Sequence, residues 1–148
     1  MLADLLHPER VRIGVTLGDK DAALRAIASL LTMPEATINE EVLRDVLEER
    51  ERLASTGIGS GVAIPHGRYD GVEELRAAVA ICPAGVDFDA VDRLPVTILV
   101  GIVGPKSMPQ KHLAALAGVS RVLRSEEKRN ALLRAVDDSA AYRVLTES

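Results

Sequence analysis

The stretch STGIGSGVAIPHGR, Ser55 to Arg68, decides how this chain is read. Glycines stand at alternate positions, Gly57, Gly59 and Gly61, and a short apolar run follows, Val62 to Ile64. Pro65 then fixes φ and removes a backbone donor. Gly67, just past His66, accepts positive φ at little steric cost. A strand that meets Pro-His-Gly is expected to break there, with the His66 imidazole presented on a stiff turn at the strand end. Loops on rigid scaffolds carry function. A neutral imidazole in that position can act as a general base, bind a metal or take a group covalently. It can equally be a turn histidine with no chemical role.

Working outward, the residues before this stretch read as a helix. Asn39 can cap it, and Glu40 and Glu41 occupy a first turn where the macrodipole favours acids. Val42, Leu43, Val46, Leu47 and Leu53 would form its buried face. Its last turns are densely charged, which ordinarily marks a solvated face. Yet they lead straight into the glycines, so Arg50 or Arg52 could reach back towards His66. Further upstream, Arg10 to Val15 is expected as a first strand. Asp19 caps a helix from Lys20 to about Leu31, with an apolar stripe of Ala23, Leu24, Ile27, Leu30 and Leu31.

Downstream, Leu75 to Cys82 reads as a strand and Pro83 to Gly85 as a turn. Val96 to Val103 is nearly continuous and β-branched, the pattern of a central strand buried on both faces. A third helix starts at Ser107 to Pro109 and runs to about Leu123, with Leu113, Leu116, Ala117, Ser120 and Leu123 facing the core. That puts His112 in its first turn, on the helix surface. A fourth helix spans about Glu126 to Val136, and a last one follows a cap at Asp138 or Ser139. The alternation of helices and strands implies an α/β domain over residues 1–148, with helices on both faces of a sheet. The sheet is expected to be mixed, because the short connector at Pro83 to Gly85 suits an antiparallel return.

Composition narrows the function. The chain has 148 residues, 47% hydrophobic and 27% charged, ordinary for one soluble domain. Only 2% are aromatic, Tyr69, Tyr142 and Phe88, and the net charge is −4. Both facts argue against nucleic acid as a partner, whether by base stacking or by phosphate contacts. The single cysteine, Cys82, lies in an apolar run and reads as a small buried hydrophobe. No apolar run is long enough to span a bilayer or to form a signal-peptide core, so a cytoplasmic protein without membrane insertion is expected.

Three chemistries compete for His66. A Walker-type loop needs G-x-x-x-x-G-K-[ST] and the dinucleotide fingerprint needs G-x-G-x-x-G; the glycines here fit neither. A metal site wants three protein ligands. His66, His112 and an unspecified carboxylate could supply them, but nothing in the spacing asks for it, and no metal or cofactor is expected. The third chemistry is covalent phosphorylation. A phosphoryl acceptor needs a nucleophilic nitrogen and donors that offset the transferring charge. Arg50 or Arg52, Ser55, Thr56 and the glycine amides offer such donors, and His112 adds a second imidazole.

The run RERLASTGIGSGVAIPHG, Arg50 to Gly67, closely resembles the signature of the IIA proteins of the bacterial phosphoenolpyruvate:sugar phosphotransferase system, fructose/mannitol class. Within that class it looks most like the nitrogen-regulatory branch. HLAALAGVSRVLR, His112 to Arg124, is similar to that class's second-histidine helix, and FDAVDRLPV, Phe88 to Val96, to its approach to the central strand. The resemblance implies a three-layer α/β/α sandwich. It implies that His66 is the phosphoryl acceptor, with His112 as second active-site histidine, Arg50 as the arginine near the phosphoryl group and Thr56 as the threonine of the S-T-G turn. It implies an HPr-like phosphocarrier protein as donor and no cofactor. With no room for a fused IIB, IIC or HPr domain in 148 residues, the regulatory branch is favoured, with potassium-transport proteins, a sensor kinase or nitrogen and carbon control proteins as targets. A sugar-specific IIA that passes phosphate to a IIB domain, and a docking module without phosphotransfer, are the alternatives.

Overall fold

Strands β5 (Arg76–Val86) and β6 (Val96–Gly104) form the antiparallel centre of the structure, a computed structural model that describes residues 2–35 and 37–147. Both are buried on two sides. Ala78, Ala80, Leu99 and Val103 join one apolar cluster, while Ala77, Val79, Ile81, Ile98, Val100 and Ile102 join the other. Alternate side chains of a strand point to opposite faces, so two clusters mean two covered faces. Helices α2 (Lys20–Thr32) and α3 (Glu40–Leu53) cover the first. Helices α4 (Pro109–Leu123), α5 (Glu126–Arg134) and α6 (Asp138–Thr146) cover the second, with the short α1 (Leu2–Leu5) beside them. This is the three-layer sandwich expected from the sequence.

The sheet has six strands in the order β1-β5-β6-β3-β2, with β4 pairing β6 beyond β3. Here β1 is Val11–Arg12, β2 Gly57–Gly59, β3 Val62–Ala63 and β4 His66–Arg68. Pairs β1–β5, β3–β6 and β4–β6 are parallel, and β2–β3 and β5–β6 antiparallel, so the sheet is mixed. Cys82 is fully buried in β5. Among the described residues no helix is long and apolar enough to cross a membrane.

Several local expectations are corrected. The first strand is two residues long, not Arg10 to Val15: Ile13 N–H donates to the Asp138 carboxylate at 2.8 Å, and Gly14 turns the chain at φ 65°. Leu2–Leu5, which shows no sequence signal, is helical. Pro83 to Gly85 is not a turn but an irregularity inside β5, where the register shifts between Ile81 and Val86. The reversal falls instead at residues 87–95, where Asp87 and Asp92 side chains accept from the amides of Asp89 and Leu94. Helix α5 ends at Arg134, ahead of Val136, and α6 is capped by Asp137, whose carboxylate accepts from Ala140 N–H.

The largest correction concerns Pro65. The chain does not leave the sheet there. Pro65 lacks a donor, but its carbonyl accepts from Ile102 N–H at 3.0 Å, and His66, Gly67 and Arg68 pair with Ile102, Val103 and Gly104. His66 is therefore the first residue of a strand, not the tip of a turn. Gly67 does not use positive φ. Its need is space, because a Cβ there would run into Val46 of α3.

Candidate active site

Helix α3 packs on the Gly67 face of strand β4, the face of Val103, whereas His66 and Arg68 point to the other face, that of Ile102, on the side of α4; side chains of both helices meet in one cleft beside the strand. Val42, Val46, Arg50 and Leu53 from α3, His66 and Arg68 from β4, and His112, Leu113 and Leu116 from α4 line one cleft of about 570 Å³. The spacing explains who is present. Successive residues of a strand alternate faces, so Arg68 shares the face of His66. On α3, the positions of Val42, Val46, Arg50 and Leu53 fall three or four apart, on a stripe beside the buried one.

His66 is half-buried. Its Nδ1 lies 2.8 Å from the Ile64 carbonyl oxygen. A carbonyl can only accept, so Nδ1 carries the proton of the neutral ring and Nε2 holds the free lone pair. Burial lowers the His66 pKa below its ordinary value, and the Arg50 charge lowers it further, against the opposing Ile64 carbonyl and Glu51. The neutral, nucleophilic form therefore prevails near neutral pH.

His112 is 2% exposed, and its ring centre is 5.7 Å from that of His66, tilted by 54°. Its Nδ1 is buried without a hydrogen-bond partner. Burial, helped by His66 and Arg68, pushes its pKa down to about 4. The surface position expected for this histidine is thus wrong. Helix α4 buries His112, Ala115, Gly118, Val119 and Leu123, whereas Leu113 is 61% exposed at the cleft.

Of the two arginines, Arg50 lines the cleft, its Nη1 donating to the Ala54 carbonyl at 3.0 Å. Arg52 points elsewhere and approaches Glu49. The hydroxyls expected to bind phosphate are committed to other acceptors. Ser55 Oγ donates to the Phe88 carbonyl at 2.8 Å, and Thr56 Oγ1 donates to Glu51 at 2.5 Å. Neither residue lines the cleft.

Sequence reasoning missed two residues. Arg68 was signalled by its position two beyond His66 on a strand. Glu51 was hidden in a charged run, although it stands four after Leu47 and eight after Leu43, on the buried stripe. Among the described residues no group of three or more His, Cys, Asp or Glu side chains is arranged to hold a metal ion. The cleft offers a neutral imidazole with a free lone pair, a second imidazole and two guanidiniums, with the carboxylates of Asp45 and Glu49 also in its lining; the imidazoles and guanidiniums are the groups suited to receiving an anionic electrophile.

Residues 4–148 match the family described as "Phosphoenolpyruvate-dependent sugar phosphotransferase system, EIIA 2". A nitrogen regulatory protein of Pseudomonas aeruginosa is 33% identical over 146 residues, 99% of this chain and 95% of the relative. A PTS system fructose-specific EIIA component of Haloferax volcanii is 34% identical over 128 residues, 86% of this chain and 83% of the relative. Among solved structures, nitrogen regulatory protein IIA-Ntr from Neisseria meningitidis superposes with a TM-score of 0.89 at 27% identity, over 97% of this chain and 98% of the other. The IIA mannitol structure from Escherichia coli has a TM-score of 0.80 at 20% identity over 95% of this chain and 98% of the other, a likeness of fold.

Proposed function

The chain belongs to the phosphoenolpyruvate-dependent sugar phosphotransferase system EIIA 2 family, and from that premise we propose that His66 takes a phosphoryl group on Nε2 from the phosphohistidine of an HPr-like carrier. The observation that supports this reading is the bond from Nδ1–H to the Ile64 carbonyl, which leaves the Nε2 lone pair free on a residue that lines the cleft.

The step balances simply. The Nε2 lone pair of His66 forms a bond to phosphorus as the P–N bond of the donor breaks, and the donor ring leaves with that electron pair. The His66 proton stays on Nδ1, where the Ile64 carbonyl stabilises the positive charge that spreads into the ring. Arg50 and Arg68 offset the charge on the transferring oxygens. His112, neutral and close by, supplies a hydrogen bond and not a proton. Ser55 and Thr56 act on the loop that carries the histidine strand and do not reach the phosphate through their hydroxyls.

The output is regulatory: the phosphorylation state of this protein changes what it binds. This follows the nitrogen regulatory proteins that match almost its whole length. The fructose-specific relative at 34% identity supports a second reading, transfer onward to a IIB domain. Incubation with phosphoenolpyruvate, enzyme I and an HPr-like carrier is expected to give an acid-labile, base-stable phosphate that His66→Ala loses. Label that persists in that variant would contradict the assignment. Rapid discharge to a IIB domain would favour the sugar-specific reading over the regulatory one.

A further inference from the structure

Behind the cleft lies a buried carboxylate that the transfer step itself does not use. Glu51 follows Arg50 on α3, but its side chain is 5% exposed and turned inward. Lys20 Nζ, from the first turn of α2, meets Glu51 Oε2 at 2.7 Å and lies 4.9 Å from the centre of the Phe88 ring. Thr56 donates to the same carboxylate twice over, from its amide (3.0 Å to Oε2) and its hydroxyl (2.5 Å to Oε1). The Thr56 carbonyl accepts from Ile64 N–H at 2.9 Å, and the Ile64 carbonyl accepts from His66 Nδ1–H at 2.8 Å. A continuous series of bonds thus joins Lys20 to the His66 imidazole.

We propose that Glu51, clamped by Lys20 and bound to Thr56, is a positioning residue that fixes Ile64 and thereby keeps the His66 proton on Nδ1 and the lone pair on Nε2. This rests on the phosphocarrier reading above and adds a residue to it. A buried charge is costly unless paired and hydrogen-bonded, and Glu51 is both. Its neighbour Arg50 reaches the cleft from the same turn, so the inward anchor of Glu51 also sets where the guanidinium stands. One side chain therefore ties the arginine helix to the histidine strand. The Glu51 charge also favours the positive charge that develops as Nε2 bonds phosphorus; it already raises the His66 pKa against the stronger effect of burial.

The test reads the His66 ring directly, by nitrogen-15 chemical shifts in protein carrying no phosphate. The wild type is expected to show one tautomer, protonated on Nδ1. Glu51→Ala is expected to show both tautomers, and its transfer kcat to fall about tenfold with the donor KM unchanged, as for other residues that orient a reacting ligand. A folded Glu51→Ala with a single tautomer and wild-type kcat would overturn the proposal. Thr56→Val keeps the shape and the amide bond to Glu51, and it decides the matter if Glu51→Ala does not fold. It is expected to show a detectable second tautomer and about threefold slower transfer, and wild-type behaviour in it would equally overturn the proposal. The tautomer measurement needs no donor. A wild type that takes no phosphate would therefore contradict the phosphocarrier reading, while the tautomer shift still decides the role of Glu51.

Discussion

The buried His112 ring makes the folded protein sensitive to acid. Its pKa is pushed from 6.5 down to about 4, so the folded state resists a proton that the unfolded chain accepts. Well above pH 6.5 both states are neutral and nothing is lost. As the pH falls from 6.5 to about 4 the unfolded chain is favoured progressively, by about 3 kcal/mol at the limit. The expected result is a Tm that falls across this window and a His112→Gln variant that falls less steeply; equal slopes would contradict it. At Arg50 the expectation is catalytic. Its bond to the Ala54 carbonyl contributes about 1 kcal/mol, so Arg50→Ala should fold. Its phosphoryl transfer should slow on the order of 10²-fold, as when one donor to a developing anion is removed. Unchanged single-turnover transfer would show that the guanidinium only caps its helix.

At the scale of elements, the approach of α3 to β4 is what builds the cleft, and it depends on a missing side chain. A Cβ at Gly67 would meet Val46. Gly67→Ala should cost about 1–3 kcal/mol by overpacking, and Val46→Ala should return part of that loss, a coupling that a double-mutant cycle measures. Additive losses would mean that the two positions do not touch. The elements also show what the sequence could and could not disclose. The β-branched run at Val96 to Val103 and the capped helices after Asp19 and Asn39 were legible, because periodicity and caps are local signals. The strand after Pro65 was not, since it exists through Pro65's acceptor and a partner in β6, far along the chain. Leu123 of α4 was read correctly as buried, but the rest of that face was misjudged, because His112, Ala115 and Gly118, which leave no hydrophobic stripe to follow, make up most of it. His66, His112 and Arg50 were legible as candidates. The inward turn of Glu51 and the commitment of Thr56 to it were not, because only the register of α3 separates a buried acid from its solvated neighbours.

For the whole molecule, the site sits at the rim of a three-layer sandwich, where it can meet another protein. Val42, Leu53 and Leu113 stand 39%, 80% and 61% exposed around the cleft. Such a ring suits an apolar docking contact that excludes water from the transferring phosphate. Leu113→Asp should raise the donor KM about tenfold and leave kcat nearly unchanged; a fall in kcat alone would place Leu113 in the chemistry and not in docking. The measurement that bears most directly on the proposed transfer is nitrogen-15 and phosphorus-31 NMR of histidine-labelled protein after phosphorylation by the carrier. Phosphate bonded to Nε2 of His66, with Nδ1 still protonated, is the expected result. Phosphate on Nδ1, or on any other residue, would contradict it.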